Sequence, residues 1–241
     1  MHRAWLLTLF VLAAPGAGGA DRNAEDAWDS RVCGRAWPEY VRLHRDMLAG
    51  VRPGRFLTFK PDPWRGYANQ LLGISSAFAA ALLTDRALLL RDDLLAAHFS
   101  SPFIAWRADR ALSSEPEALF DSIKDCDTQD LWTSLAWVDL DEMFPRHVSN
   151  VSVSTNVLWT PQLFANPRYQ SKMETWGLSG LDSFFSCSMS FLLRPTFRLR
   201  RALAPLEQQL RGGYSIGLQL RLNPETAQVR LPRIRYRHDV G

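Results

Sequence analysis

"WRGYANQLLGISSAFAAALLTDRALLL", Trp64–Leu90, decides the fold. Gly66 marks a tight turn. From Asn69 to Leu83 come Leu71, Leu72, Ile74, Phe78, Leu82 and Leu83 among several alanines, a helix composition with no polar face wide enough for a surface helix. This helix is expected to be covered on both sides. "RALLLRDDLL", Arg86–Leu95, supplies an apolar run after it, and "GRFLTFK", Gly54–Lys60, supplies one before it, bounded by Pro53-Gly54 and Pro61-Asp62-Pro63. Strand, turn, buried helix and strand make a βαβ unit. Strands at Phe56–Phe59 and Leu88–Leu90 are therefore expected to be adjacent and parallel, joined by a right-handed crossover.

Outward from this unit, Pro38–Leu48 is amphipathic and reads as a helix at the domain edge, reached through a polar stem that starts at residue 21. Glu115–Ile123 reads as a helix, Leu131–Leu140 as a strand region, and Val148–Leu158 as containing a further short strand. Leu199, Leu203, Leu206 and Leu210 recur at helical spacing, with Pro195 suited to the first turn and Gly212-Gly213 to the stop. "YSIGLQLRL", Tyr214–Leu222, alternates as a strand.

The chain has 241 residues, 46% hydrophobic and 22% charged, with a net charge of +3 spread along its length. This is an ordinary globular composition, without the run of like charges that marks a nucleic-acid arm. The start combines His2 and Arg3, an apolar run from Ala4 to Ala14, and small residues from Ala17 to Ala20. That order predicts a secretory signal peptide cleaved after Ala20, the alternative being a short signal anchor in a secretory membrane. The run is shorter than the roughly 20 apolar residues of a comfortable span. Cys33, Cys126 and Cys187 are too widely spaced for a compact zinc site, and one disulfide plus one free cysteine is the simplest count in an oxidising compartment; the pairing is left open. Asn150-Val151-Ser152 is a glycosylation sequon.

Two stretches carry chemistry. In a βαβ unit the turn after the first strand places a helix N-terminus at the carboxyl edge of the sheet, where an anion is stabilised. Gly66 can bring the backbone close to a ligand there, while Asn69 can either cap the helix or offer its amide to the ligand. In "IGLQLRLNPE", Ile216–Glu225, Gln219 and Arg221 are two apart and share one side of a strand. An arginine so placed can grip a diphosphate and neutralise charge on a leaving nucleoside diphosphate, or it is a solvated edge residue.

Together, Gly66, Asn69 and Gln70, followed by Leu82-Leu83-Thr84-Asp85-Arg86 and later by Ile216, Gly217, Gln219 and Arg221, resemble the plant-type fucosyltransferase family, which includes the xyloglucan α-1,2-fucosyltransferases. The resemblance implies an inverting transferase of GT-B type, two facing Rossmann-like domains with GDP-fucose as donor in the cleft, no metal and no further cofactor. It implies that Arg221 and Gln219 bind the donor from one wall and that Asn69 and Gly66 line the other. A glycan acceptor and a place in the Golgi lumen or membrane, in cell-wall or glycan biosynthesis, follow from the same resemblance. It assigns no catalytic residue.

The family carries a whole second domain after the arginine strand, whereas here "NPETAQVRLPRIRYRHDVG" follows Leu222 and ends the sequence. The expected organisation is a leader over 1–20, a stem and edge helix over 21–53, a Rossmann-like N-terminal domain over 54–211, and over 212–241 the first strand of the donor-binding domain with a basic tail. The expectation is an α/β protein corresponding to the N-terminal half of a GT-B glycosyltransferase. On this reading it is either a fragment of an active enzyme or a short relative without activity.

Two other readings are open. Asp139-Leu140-Asp141 has the spacing of the metal-binding Asp-x-Asp of GT-A glycosyltransferases. Trp106, Trp132, Trp137 and Trp159 offer stacking faces for a secreted carbohydrate-binding protein without turnover. No Ser, His and Asp set suggests nucleophilic catalysis.

Overall fold

The computed structural model describes residues 33, 37–61, 66–91, 93–107, 118–121, 134–178 and 184–210. Their core is a parallel sheet of four strands in the order β2-β1-β5-β4, with β1 at Phe56–Phe59, β2 at Ala87–Leu90, β4 at Ala118–Asp121 and β5 at Asn150–Ser154. A two-stranded antiparallel ribbon of β3, Phe99–Ser100, and β6, Arg194–Pro195, lies apart from it. Phe56 is level with Ala87 on one side and with Asn150 on the other. β1 and β2 are thus adjacent and parallel, as the βαβ reading requires.

The crossover helix α2 spans Tyr67–Leu83 and buries twelve residues, from Gln70 through Leu83. Its alanines let it sit close to the sheet. Gly73 goes further: a Cβ there would overlap the Thr155 carbonyl oxygen and the Phe59 ring. On its other faces α2 is covered by α5, Thr160–Ala165, by α6, Gln170–Trp176, and by α7, Phe184–Leu192. Polar contacts fix this layer. The Ser75 and Ser188 hydroxyls are 3.0 Å apart, and the Ser76 hydroxyl accepts the Trp159 N–H at 2.8 Å. Each fully buried Leu or Phe side chain in such a layer is worth about 1.5–3 kcal/mol.

The helix expected at the domain edge forms there, with its apolar face built into the core. In α1, Trp37–Leu48, Trp37 and Tyr40 are fully buried, Trp37 edge-on to Phe78 and Phe191. The reason is β2, an outer strand with one unpaired rim. The Tyr40 hydroxyl donates to the Arg86 carbonyl at 3.0 Å and accepts the Leu88 N–H at 2.8 Å, and His44 Nε2 lies 2.9 Å from the Leu88 carbonyl. A carbonyl only accepts, so His44 carries its proton on Nε2. α1 covers the edge that would otherwise invite another strand. A disulfide from Cys33 to Cys187 ties the chain just before it to α7; Cys126 lies outside the described residues.

Other expectations are corrected. Residues 118–121, expected within a helix, form β4, since pairing with β5 overrides a short helix-compatible run. The strand region expected over 131–140 is, from residue 134 onward, turns leading into the short helix α4, Leu140–Met143. Asp139 caps α4, its carboxylate accepting the Asp141 N–H, which is a helix-starting geometry and not a strand. Pro195 lies in β6, and α8 begins only at Phe197, running to Leu210. A short helix α3, Asp93–His98, follows β2.

Asn150 also departs from expectation. It is 3% exposed, inside the sheet, and its side-chain oxygen accepts the Thr58 hydroxyl at 2.8 Å. The sequon's amide is thus packed inside the sheet.

Candidate nucleotide-binding edge

A parallel sheet has two unlike edges, and α2 connects them. At the carboxyl edge the strands end in Lys60, Arg91 and Thr155, with Arg107 bridged to the end of β2 at Leu90. The ladder continues one step past the strands: Lys60 N–H donates to Val153 O at 2.8 Å and Arg91 N–H to Phe59 O at 2.9 Å. Here α2 begins. Gly66 is its N-cap residue, with φ −63° and ψ 150° and no side-chain cap. This is extended backbone open to any residue, and a Cβ on Gly66 would touch nothing among the described residues. The glycine is not required by strain.

Asn69 does not cap the helix. Its backbone N–H donates to Gly66 O at 3.0 Å, and among the described residues its side chain makes no hydrogen bond. Gln70, the next residue, is buried. The first turn of α2 thus presents backbone N–H groups and the positive end of the helix dipole, with Lys60, Arg91 and Arg107 on neighbouring segments. Each of these three cations stands at or just past a strand end, a position that could have been singled out once the strands were placed. Tyr67 stacks on Phe99 at 6.5 Å and steadies the turn against the ribbon.

The amino edge is closed by charge. Arg86, fully buried at the start of β2, donates to the carbonyls of Phe56, Phe144, Pro145 and Val148 at 2.8–3.2 Å. Burial, reinforced by neighbouring Arg55 and opposed by Asp141, pulls its pKa down to about 10. Asp85, at φ 50°, turns the chain from α2 into β2 and pairs with Lys172 at 2.6 Å.

Asp139 and Asp141 lie at this amino edge too. The Asp141 N–H, and then the Tyr169 hydroxyl at 3.1 Å, hold the Asp139 carboxyl below its ordinary value, with Arg168 and Arg146 adding to them. Asp141 pairs with Arg146 at 2.6 Å and faces Arg55 at 3.8 Å. One carboxylate is a helix cap and the other an arginine partner, both remote from the first turn of α2. The Asp-x-Asp spacing therefore has a local structural use, and among the described residues no group of three His, Cys, Asp or Glu could hold a metal ion.

Of the tryptophans, Trp106 and Trp159 are core; Trp106 donates its indole N–H to Leu192 O at 2.8 Å. Trp137 is 71% exposed, and Trp132 lies outside the described residues. Among the described residues these tryptophans assemble no set of stacking faces. The structure brings Gly66 and Asn69 together in one helical turn, while Gln219 and Arg221 lie outside the described residues.

No known family profile matches the sequence, and no curated protein matches it. Among solved structures, the chain is similar to a mutant of the fucosyltransferase FUT1 of Arabidopsis thaliana in complex with GDP, with a TM-score of 0.56 and 16% identity over 72% of this chain. The fold is similar to that of part of the FUT1 chain: the match covers 48% of it, so this chain spans about half of its length.

Proposed function

We propose that this chain contributes one wall of the donor cleft of a fucosyltransferase-like GT-B enzyme, one that transfers fucose from GDP-fucose to a glycan with inversion and without a metal. The supporting observation is the carboxyl edge. The bare first turn of α2, with Asn69 uncommitted and Lys60, Arg91 and Arg107 beside it, stands on a parallel sheet whose fold is similar to that of a GDP-bound fucosyltransferase. N–H groups and cations at that edge favour a diphosphate.

In this reading Asn69 and the Gly66 turn line the near wall, and Gln219 and Arg221 belong to the far wall. The arginine binds the diphosphate and neutralises the charge that GDP gains as the glycosidic bond breaks. The sheet supplies one wall, and the donor is proposed to lie between it and the second. A secretory compartment is part of the proposal and is supported by the Cys33–Cys187 disulfide.

Calorimetric titration of GDP into this chain and into a longer chain carrying a second GT-B domain, together with turnover of GDP-fucose, tests the reading. The longer chain should bind tightly, and Arg221→Ala should weaken it about 10- to 150-fold, the equivalent of one charge-assisted hydrogen bond of about 1.5–3 kcal/mol. Tight binding by the short chain, unaffected by Arg221→Ala and Asn69→Ala, would place the nucleotide elsewhere.

A further inference from the structure

No residue of helix α8 is fully buried: Leu199, Leu203 and Leu210 are half-buried, and Leu206 is 37% exposed. Leu199, Leu203, Leu206 and Leu210 follow one another at steps of four, three and four. They form a stripe about 60° wide, narrower than the face with which a helix docks on a globular core and matched to the seam between two helices. Pro205 falls on the outer flank, away from the stripe.

The charges beside the stripe say which partner fits. Arg200 and Glu207 are one heptad apart on the same flank, and neither makes an ion pair among the described residues. In an antiparallel pair of identical helices, Leu199 meets Leu210 of the second copy and Leu203 meets Leu206. Arg200 of each copy then faces Glu207 of the other, so the twofold axis makes the ion pair twice. In a parallel pair the same flank faces Ala202 and Gln209, and no charges meet. The surface is complementary to itself in one orientation only.

We propose that α8 is a self-association surface through which two copies of this chain pair antiparallel, with the four leucines as seam and reciprocal Arg200–Glu207 ion pairs fixing the direction. Two helices of this length bury less than the about 1,200 Å² of a standard stable interface, so the association is reversible and concentration-dependent. The proposal is independent of the nucleotide reading.

Sedimentation of the full chain over a concentration series tests it. The wild type should shift from monomer to dimer, less readily at high salt. Arg200→Glu and Glu207→Arg, which each turn two attractions into two repulsions, should each weaken the dimer about tenfold. The double exchange R200E/E207R should restore it, and Leu203→Asp should leave only monomer. These positions are not buried, so the variants should keep the wild-type circular dichroism and thermal midpoint of the monomer. A wild type that is monomeric throughout would overturn the proposal. So would a dimer indifferent to the single exchanges, or one that the double exchange fails to restore.

Discussion

The two ends of α2 carry similar sequence signals and have opposite fates. "RGYANQ" at its start and "LLTDR" at its end both look like motif, with polar residues beside a long apolar helix. At the amino edge the polar groups at the end of α2 have internal partners: Arg86 reaches four carbonyls, Asp85 pairs with Lys172, and Thr84 donates to Ala80 O at 2.7 Å. At the carboxyl edge the first turn of α2 has no side-chain cap, and the Asn69 amide has no described partner. A buried polar group must be satisfied from within, so the amino edge is explained by folding alone. At the carboxyl edge, among the described residues, the uncapped first turn of α2 and the Asn69 side chain have no such internal use.

The comparison is broken most directly at Arg86. Replacing it by Met removes the donors to Phe56, Phe144, Pro145 and Val148 and should cost about 3–5 kcal/mol, seen as a much lower urea midpoint. A loss under 1 kcal/mol would mean that this edge is not the structural one. Opening the Cys33–Cys187 link by a double change to Ser should cost about 2–5 kcal/mol, because it releases α1 from α7. Thermal melts with and without reductant measure it, and the Ser variant should be insensitive to reductant.

A smaller effect sharpens the picture at the β2 rim. His44 is 1% exposed, and burial holds its imidazole below the ordinary 6.5, outweighing the Leu88 hydrogen bond that pulls the other way. The unfolded chain therefore binds a proton near pH 6.5 that the folded chain refuses. Stability should be full above that pH, fall as the pH drops below it, and level off below the folded value. His44→Gln keeps an N–H for the Leu88 carbonyl and should flatten this slope. An unchanged slope would show that other groups carry it. Smallest of all, Asn69→Ala should shift stability by no more than about 0.5 kcal/mol in the same urea melts, since its side chain holds nothing in place.

What could be read from the sequence was whatever the local pattern determines. β1, α2, β2, β5 and α8 are strong apolar runs or periodicities between clear breakers, and they stand where the pattern puts them. Misreadings occur where a distant partner decides. "ALFD" at 118–121 is a strand only because β5 lies beside it. That the edge helix over Pro38–Leu48 closes the rim of β2 through Tyr40 and His44 has no trace in its own residues. Asn150-Val151-Ser152 is a legible triplet, but its burial depends on strands on both sides. At the site, Gly66 and Asn69 were visible from the turn. The cations Lys60, Arg91 and Arg107 needed the strand ends first, and Arg86 could not be told from a ligand-binding arginine until its four carbonyls were in place.

The central claim is that the carboxyl edge, and not the amino edge, receives a nucleotide diphosphate. The most direct measurement is a titration of the isotope-labelled chain with GDP, followed by amide NMR shifts, which register even weak binding. The account predicts saturable shifts at Tyr67, Ala68, Asn69 and Arg91, reduced by Asn69→Ala, with Asp139–Arg146 unmoved. Shifts concentrated around Asp139, Asp141 and Arg146, or none at the first turn of α2, would contradict it.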